Sequence, residues 1–186
     1  MADHPKISLI TITRDEEALI GQCLKSAWFC DEKIVVDSFS TDKTVEIARG
    51  LGASVVQHEF TNYVMQKQMA LDRATGEWVL LMDADEQATH DLGEEIIRAV
   101  SSSDRADGYR IRRILYHLGH YYSHAIYPDT PVRLFRRERG HIHRVDGDTV
   151  RQVFHHLFGD AHADDFLRLF GGPADVRRRQ HAIGGE

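Results

Sequence analysis

The chain has 186 residues, 42% of them hydrophobic and 28% charged, which is the balance of an ordinary globular domain. That length buries a sizeable core without disulfide or metal staples, and the composition excludes collagen, coiled coil and wholesale disorder. A formal net charge of −6 argues against general nucleic-acid binding.

The total conceals segregation. Residues 1–104 carry 9 basic and 19 acidic side chains, residues 105–144 carry 9 and 3, and residues 145–186 carry 5 and 7. All the basic residues of the middle segment are arginines. The two cysteines, Cys23 and Cys30, form neither a CxxC motif nor a disulfide framework, which points to a reducing compartment. The N-terminus lacks the basic-then-apolar layout of a signal peptide, and the longest strongly apolar run, Trp78 to Met82, is too short to cross a bilayer. The expectation is a cytoplasmic protein, with peripheral contact at the inner face of the membrane left open.

The first hundred residues alternate between two hydrophobic periods. Ile7 to Thr13 is a β-branched run that reads as a strand and ends at the polar break Arg14-Asp15-Glu16-Glu17. Ile20, Leu24 and Trp28 recur at helical spacing on one face. Ile34 to Val36 is a second strand, and Ser40 or Thr41 is expected to cap a helix carrying Val45, Ala48 and Leu51, which stops at Gly50 and Gly52. Val55-Val56 is a third strand. Thr61 or Asn62 opens the next helix, with Met65 and Met69 expected in the core together with Trp78. Trp78 to Met82 is a fourth strand, apolar on both faces, and Leu92 to Val100 is helical. Strand and helix alternation with continuously apolar strands means a parallel sheet covered on both faces. Ligands on such sheets bind beyond the carboxyl ends of the strands, which selects the loops 13–17, 37–42, 58–61 and 83–87. After residue 104 the pattern changes: Tyr109 to Leu115 and Val132 to Arg136 read as strands, and no period is evident beyond Gly140.

Two of the selected loops carry chemistry. Asp83-Ala84-Asp85 delivers two carboxylates from a buried strand to the sheet edge, a donor set that suits a hard divalent cation bridging to phosphates. The plainer reading makes Asp83 a strand terminator and Asp85 a cap of the next helix. Asp37 to Thr44 places a carboxylate at the end of strand two and hydroxyls at a helix start, where anions are favoured and where ordinary capping also accounts for Ser40, Thr41 and Asp42. Asp37, directly after three aliphatic residues, is harder to assign as a cap.

The ordered set ISLITITRDEE (7–17), IVVDSFSTDKT (34–44), QKQMAL (66–71) and WVLLMDADE (78–86) resembles the family 2 glycosyltransferases, and DSFSTDKT, LMDADE and YPDTPVRLFRR (127–137) resemble their lipopolysaccharide-core β-glucosyltransferase branch. The resemblance covers about residues 6 to 140. It implies an α/β GT-A fold, Rossmann-like, with a mostly parallel central sheet and helices on both faces. It also implies an inverting, metal-dependent transfer of a sugar, glucose on the branch resemblance, from a UDP-sugar to a hydroxyl of a cell-envelope glycan or lipid-linked acceptor. For matched positions it implies that Thr11, Thr13 and Glu16 line the nucleobase pocket, Asp37 contacts the uracil or ribose, and Lys67 lies near the nucleotide. Asp83 is then expected at the ribose and metal, Asp85 at Mg²⁺ or Mn²⁺, and Asp129 as the catalytic base. The chain departs from the family at Asp15 and Gln68, where asparagine is usual. Nothing after Arg139 aligns. Residues 1–140 are therefore expected to form the nucleotide-sugar domain, and 141–186 a divergent, truncated or frame-shifted tail that is partly disordered.

The arginine segment has three readings: Arg133, Arg136 and Arg137 clamp the diphosphate, or attract an anionic acceptor at the membrane, or form a solvated edge strand that pairs with the acidic half. No stacking aromatics accompany them, so a nucleic-acid partner is not expected. His117, His120, His124, His141 and His143 lack a known zinc spacing and read as surface residues. The rival functions are a sugar nucleotidyltransferase, for which TRDEE lacks the phosphate-loop glycines, and a catalytically incomplete nucleotide-binding remnant.

Overall fold

The computed structural model describes residues 4–103, 106–117, 120–122, 131–144, 150–154 and 176–179. The chain enters the sheet with β1 (Ile7–Thr13) and continues through α1 (Ile20–Ser26), β2 (Glu32–Asp37), α2 (Thr44–Gly50), β3 (Ser54–Gln57), α3 (Tyr63–Arg73) and β4 (Trp78–Leu81). Then come β5 (Glu86–Ala88), α4 (His90–Ser101), β6 (Gly108–Arg110), β7 (Arg113–His117), β8 (His120–Tyr122) and β9 (Val132–Arg136). After a 3₁₀ turn at Arg137–Arg139 follow β10 (Gly140–Arg144), β11 (Val150–Phe154) and β12 (Val176–Arg179).

The main sheet has the order β3-β2-β1-β4-β9-β6. Its first four strands are parallel, and β9 runs antiparallel to both neighbours. This is the mostly parallel α/β sheet that the sequence leads one to expect. Successive side chains of a strand point to opposite faces, so each strand feeds two cores. Ile7, Leu9, Val35 and Leu80 pack with Ile20 and Leu24 of α1 and with Leu92 and Ile96 of α4. Ile10, Val36, Val79 and Leu81 pack with Ala70 and Leu71 of α3, and with Phe135 and Ile142. Burial on both faces explains why these strands read as unbroken apolar runs.

Several local expectations are corrected. Helix α1 stops at Ser26, so Trp28 leaves the helical face and stands about half exposed, stacked on His90. Met65 is 52% exposed, because α3 turns Gln66, Lys67, Ala70 and Leu71 inward instead. Asn62 caps α3, accepting from the Met65 N–H at 2.9 Å. Neither Ser40 nor Thr41 caps α2; both serve the loop contacts described below. Asp85 is not the cap of α4, since β5 intervenes and Thr89 caps that helix. Tyr109 to Leu115 is two strands rather than one: β6 pairs with β9 in the main sheet, and β7 pairs with β8 and β12 in another. His117 and His120 lie on the paired strands β7 and β8, and His124 lies outside the described residues. The helix α2 does end as expected, at Gly52 with φ 79°, a conformation that costs glycine little.

Candidate active site

β1 lies between β2 and β4, so the ends of β2 and β4 stand two strand spacings apart, roughly 10 Å. The loops 13–17 and 37–44 are joined side to side. Ser38 N–H donates to Thr13 O at 2.9 Å, Asp15 N–H to Ser40 Oγ at 2.8 Å, and Glu16 N–H to Thr44 Oγ1 at 2.7 Å. In return Thr41 N–H donates to Asp15 Oδ1 at 2.7 Å, while Glu17 N–H reaches Asp42 Oδ2 and Lys43 N–H reaches Glu17 Oε2, both at 3.0 Å. Asp15 takes a left-handed φ of 52°, which asparagine and aspartate tolerate best, so its replacement of asparagine leaves the geometry satisfied. Phe39 also has a positive φ, 54°, and its ring is more than half exposed.

Asp37 is wholly buried at the base of this double loop. Its carboxylate accepts from Ser40 N at 3.0 Å, from Gln57 Nε2 at 3.1 Å and from Ser40 Oγ. Three donors on a carboxylate with no exposed surface make Asp37 the organiser of the loop. Thr11 is buried on β1. Thr13, at the end of that strand, is also buried, and among the described residues its Oγ1 finds no hydrogen-bond partner. A buried hydroxyl left unpaired costs free energy, so a polar ligand at this edge would satisfy it. Glu16 stands half-buried in the same double loop.

At the end of β4 the charged residues converge. Lys67 Nζ, delivered by α3, pairs with Asp83 Oδ1 at 3.0 Å. Arg133 Nη2, delivered by β9, pairs with Asp83 Oδ2 and with Glu86 Oε1, each at 3.0 Å. Glu86 also accepts from Arg113 Nη1 at 3.3 Å and from the Asp83 N–H at 2.9 Å. Burial alone would raise the Asp83 pKa, but the Arg133 and Lys67 charges and their hydrogen bonds outweigh it and hold the carboxyl far below the usual range. Burial would likewise lower the Arg133 pKa, and Glu86, Asp83 and Asp85 raise it instead. Cys23 lies beneath, its Sγ 3.6 Å from Asp83 O, and both cysteine thiols are pushed up by burial, so neither is a thiolate ligand or a nucleophile.

The arginine expectations divide. Arg133 reaches the site, where its Nη2 is shared between two carboxylates and its buried Nε has no partner among the described residues. Arg136 does not reach it. β9 is antiparallel to β4, so Arg136 pairs with Trp78 at the amino end, where it meets Glu77 at 3.4 Å and Asp107 at 3.1 Å and lies over the Trp78 ring. Arg137 donates to Gly76 O at the same end. Nor is β9 an edge strand, since β4 and β6 flank it. Asp129 lies outside the described residues. Sequence reasoning missed Glu86 and Arg113. Glu86 was readable as the third acid of one short loop, whereas nothing in the local pattern singles Arg113 out from its neighbours.

The sequence pattern of glycosyl transferase family 2 matches residues 8–159. The chain belongs to this family. Among relatives, an uncharacterized glycosyltransferase of Rickettsia typhi is 39% identical over 137 residues, covering 72% of this chain and 47% of its own. The lipopolysaccharide core biosynthesis glycosyltransferase LpsC of Rhizobium meliloti is 31% identical over 140 residues, covering 72% of this chain and 52% of its own. The chain thus spans about half the length of these relatives. In solved structures, the mannosyltransferase PcManGT of Pyrobaculum calidifontis, in complex with GDP-Man and Mn²⁺, is similar with a TM-score of 0.50 and 25% identity over 61% of this chain and 36% of its own. Glucosyl-3-phosphoglycerate synthase of Mycobacterium tuberculosis shares the fold with a TM-score of 0.53 and 19% identity over 72% of this chain and 57% of its own.

Membership of family 2 raises the question of a divalent cation. Oxygen donors from one carboxylate plus substrate phosphates suit Mg²⁺ or Mn²⁺. Asp85, half-buried at the sheet edge beside this cluster, is of that chemistry. Each Asp83 oxygen already carries a cationic partner. No helix among the described residues is long and apolar enough to cross a membrane.

Proposed function

We propose that this family 2 chain binds a nucleoside diphosphate sugar, with UDP as the nucleotide, across the carboxyl ends of β1 and β4, and transfers the sugar with inversion to a hydroxyl acceptor. The observation that carries the reading is the Lys67–Asp83–Arg133 bridge set beside the unpartnered buried hydroxyl of Thr13. Thr13 and Thr11 face the base, Glu16 and the double loop wall its pocket, and Asp37 acts through the loop it holds. Asp83, kept ionised by its two cations, retains lone pairs for a ribose hydroxyl. Asp85 holds the divalent cation, which when bound offsets charge on the departing diphosphate. A carboxylate base takes the acceptor proton as the hydroxyl attacks the anomeric carbon; Asp129 is the sequence candidate. The GDP-Man and Mn²⁺ of the mannosyltransferase neighbour support a nucleotide-diphosphate donor with a metal. The similarity to LpsC supports a lipopolysaccharide-core acceptor, with glucose as the sugar on the branch resemblance. An acceptor of that kind would bring the chain to the inner membrane surface.

Thermal unfolding tests the binding. With UDP and Mn²⁺ about a hundredfold above Kd, the midpoint should rise by about 5 °C or more. Asp85→Ala should abolish most of the rise. No shift with UDP or GDP at millimolar ligand and metal would sink the reading.

A further inference from the structure

Phe39 is unfavourable twice over for the fold that holds it. Its φ of 54° lies in the left-handed region, where a bulky side chain is an outlier and glycine rests at little cost. Its ring is more than half exposed, so burial offsets little of that strain. The turn is nevertheless fixed from both sides. Ser38 N–H donates to Thr13 O at 2.9 Å, and Ser40 N–H donates to Asp37 Oδ2 at 3.0 Å. Ser40 Oγ, which also bonds Asp37, accepts from the Asp15 N–H at 2.8 Å. Strain held in place by its surroundings, at a residue that adds little to packing, is a mark of ligand clamps and active-site edges.

The groups around this turn indicate the chemistry of the ligand. The β1–β2 register sets Thr13 opposite Asp37, so Ser38 and Phe39 leave the sheet at the edge where Thr13 ends β1. The Thr13 hydroxyl is buried and has no partner among the described residues. Ser38 Oγ is buried too and accepts from Gln66 Nε2 at 2.8 Å, while the same amide reaches His58 O at 3.2 Å. A hydroxyl that accepts in this way still has its own proton to donate. An aromatic ring that follows directly on two buried hydroxyls suits a flat ligand with carbonyl oxygens on its edge, which is the chemistry of a pyrimidine base. A phosphate would use the hydroxyls and leave the ring without a purpose.

We propose that Phe39 is the stacking residue of the nucleotide site: the base lies on its ring, and the Thr13 and Ser38 hydroxyls donate to the carbonyl oxygens at the base edge. The inference rests on the nucleotide reading above and deepens it by naming what holds the base. Stacking on an aromatic ring raises affinity by about tenfold or more, a gain of the same order as the strain at Phe39. A strained aromatic residue in a position that favours glycine is thereby explained.

Titration calorimetry on the full chain, with Mn²⁺ present, compares UDP with dihydro-UDP. The saturated base of dihydro-UDP keeps both carbonyls but loses the planar face. The unaltered chain should bind UDP about tenfold tighter than dihydro-UDP. Phe39→Gly should bind UDP about tenfold more weakly and no longer distinguish the two ligands. Phe39→Tyr keeps the ring and should keep both the affinity and the discrimination. Because glycine relieves the left-handed strain, Phe39→Gly should unfold in urea at about the same concentration as the unaltered chain or higher, the opposite of losing a packing residue. Equal affinity of the unaltered chain for the two ligands would overturn the inference and leave the nucleotide reading standing, and this comparison requires no variant. The same follows if folded Phe39→Gly retains the UDP affinity, or loses affinity for both ligands equally. Failure of UDP to bind the unaltered chain removes the nucleotide reading, and this inference with it.

Discussion

Glu86 receives three donors while exposing almost no surface: Arg133 at 3.0 Å, Arg113 at 3.3 Å and the Asp83 N–H at 2.9 Å. It fixes the backbone from which Asp83 projects and holds the arginine that faces Asp83 from the other side. Glu86→Gln keeps the shape and removes the charge, so Arg133 is left with Asp83 as its one remaining ion-pair partner of the two it has here. Removing one partner of a buried pair costs about 3 kcal/mol, and the Mn²⁺–UDP affinity should fall with it. Arg136→Ala provides the contrast. Its pairs with Glu77 and Asp107 lie at the amino end of β4 and are partly exposed, so the loss should stay below about 1 kcal/mol with nucleotide affinity unchanged. Urea unfolding and calorimetry on both variants read these quantities. Equal loss of affinity in the two would show that Arg136 belongs to the site after all.

The double loop between β1 and β2 behaves as an element although it has no regular structure. Its amides at Asp15, Glu16, Glu17 and Thr41 are all bonded across the gap, so they should exchange slowly with solvent for loop positions. Thr44→Val removes the acceptor of the Glu16 N–H without changing volume. It should cost about 1–3 kcal/mol, and the four amides should lose protection together. Loss confined to Glu16 would mean that the loops do not act as a unit. The sequence made the strands of the parallel sheet legible because burial on both faces leaves continuous aliphatic runs, and it made Asp83 and Asp85 legible because they end such a run. It did not reveal the double loop, since Ser40, Thr41 and Thr44 look like caps until their partners 25 or more residues earlier are known. It placed Trp28 and Met65 in the core because helical periodicity does not say where a helix stops or which of two faces turns inward. The three readings of Arg133 stayed open for a related reason: its two counter-ions lie 50 and 47 residues away in sequence, beyond any local pattern.

Across the whole molecule, the acidic first half and the arginine segment meet at both ends of the sheet. Arg113 and Arg133 join Asp83 and Glu86 at the carboxyl edge, and Arg136 joins Glu77 at the amino edge. The amino edge has a carboxylate hub of its own. Glu32 accepts from Lys6 Nζ at 3.2 Å, from the Thr75 N–H at 2.6 Å, from Thr75 Oγ1 at 2.8 Å, from the Gly76 N–H at 3.2 Å and from Ser8 Oγ. A Cβ at Gly76 would lie 2.5 Å from Ser8 Oγ and 2.8 Å from Lys6 O, so only glycine brings the chain this close. Burial opposes the charge on Glu32, yet the hydrogen bonds from Ser8, Thr75 and Lys6 outweigh it and hold the pKa down to about 2, against an ordinary 4.5. Because the folded value is the lower one, the unfolded chain binds the proton first as the pH falls. The stabilisation is therefore complete above about 4.5 and is lost between there and about 2. Asp83 and Asp42 are shifted in the same direction and steepen the decline. Unfolding free energy from urea titrations should fall on acidification, with Glu32 contributing at most about 1.4 kcal/mol per pH unit. Glu32→Gln should be less stable than the unaltered chain at neutral pH and should approach it as the pH nears the lower value. Curves that stay parallel through the acid range would place the proton uptake elsewhere.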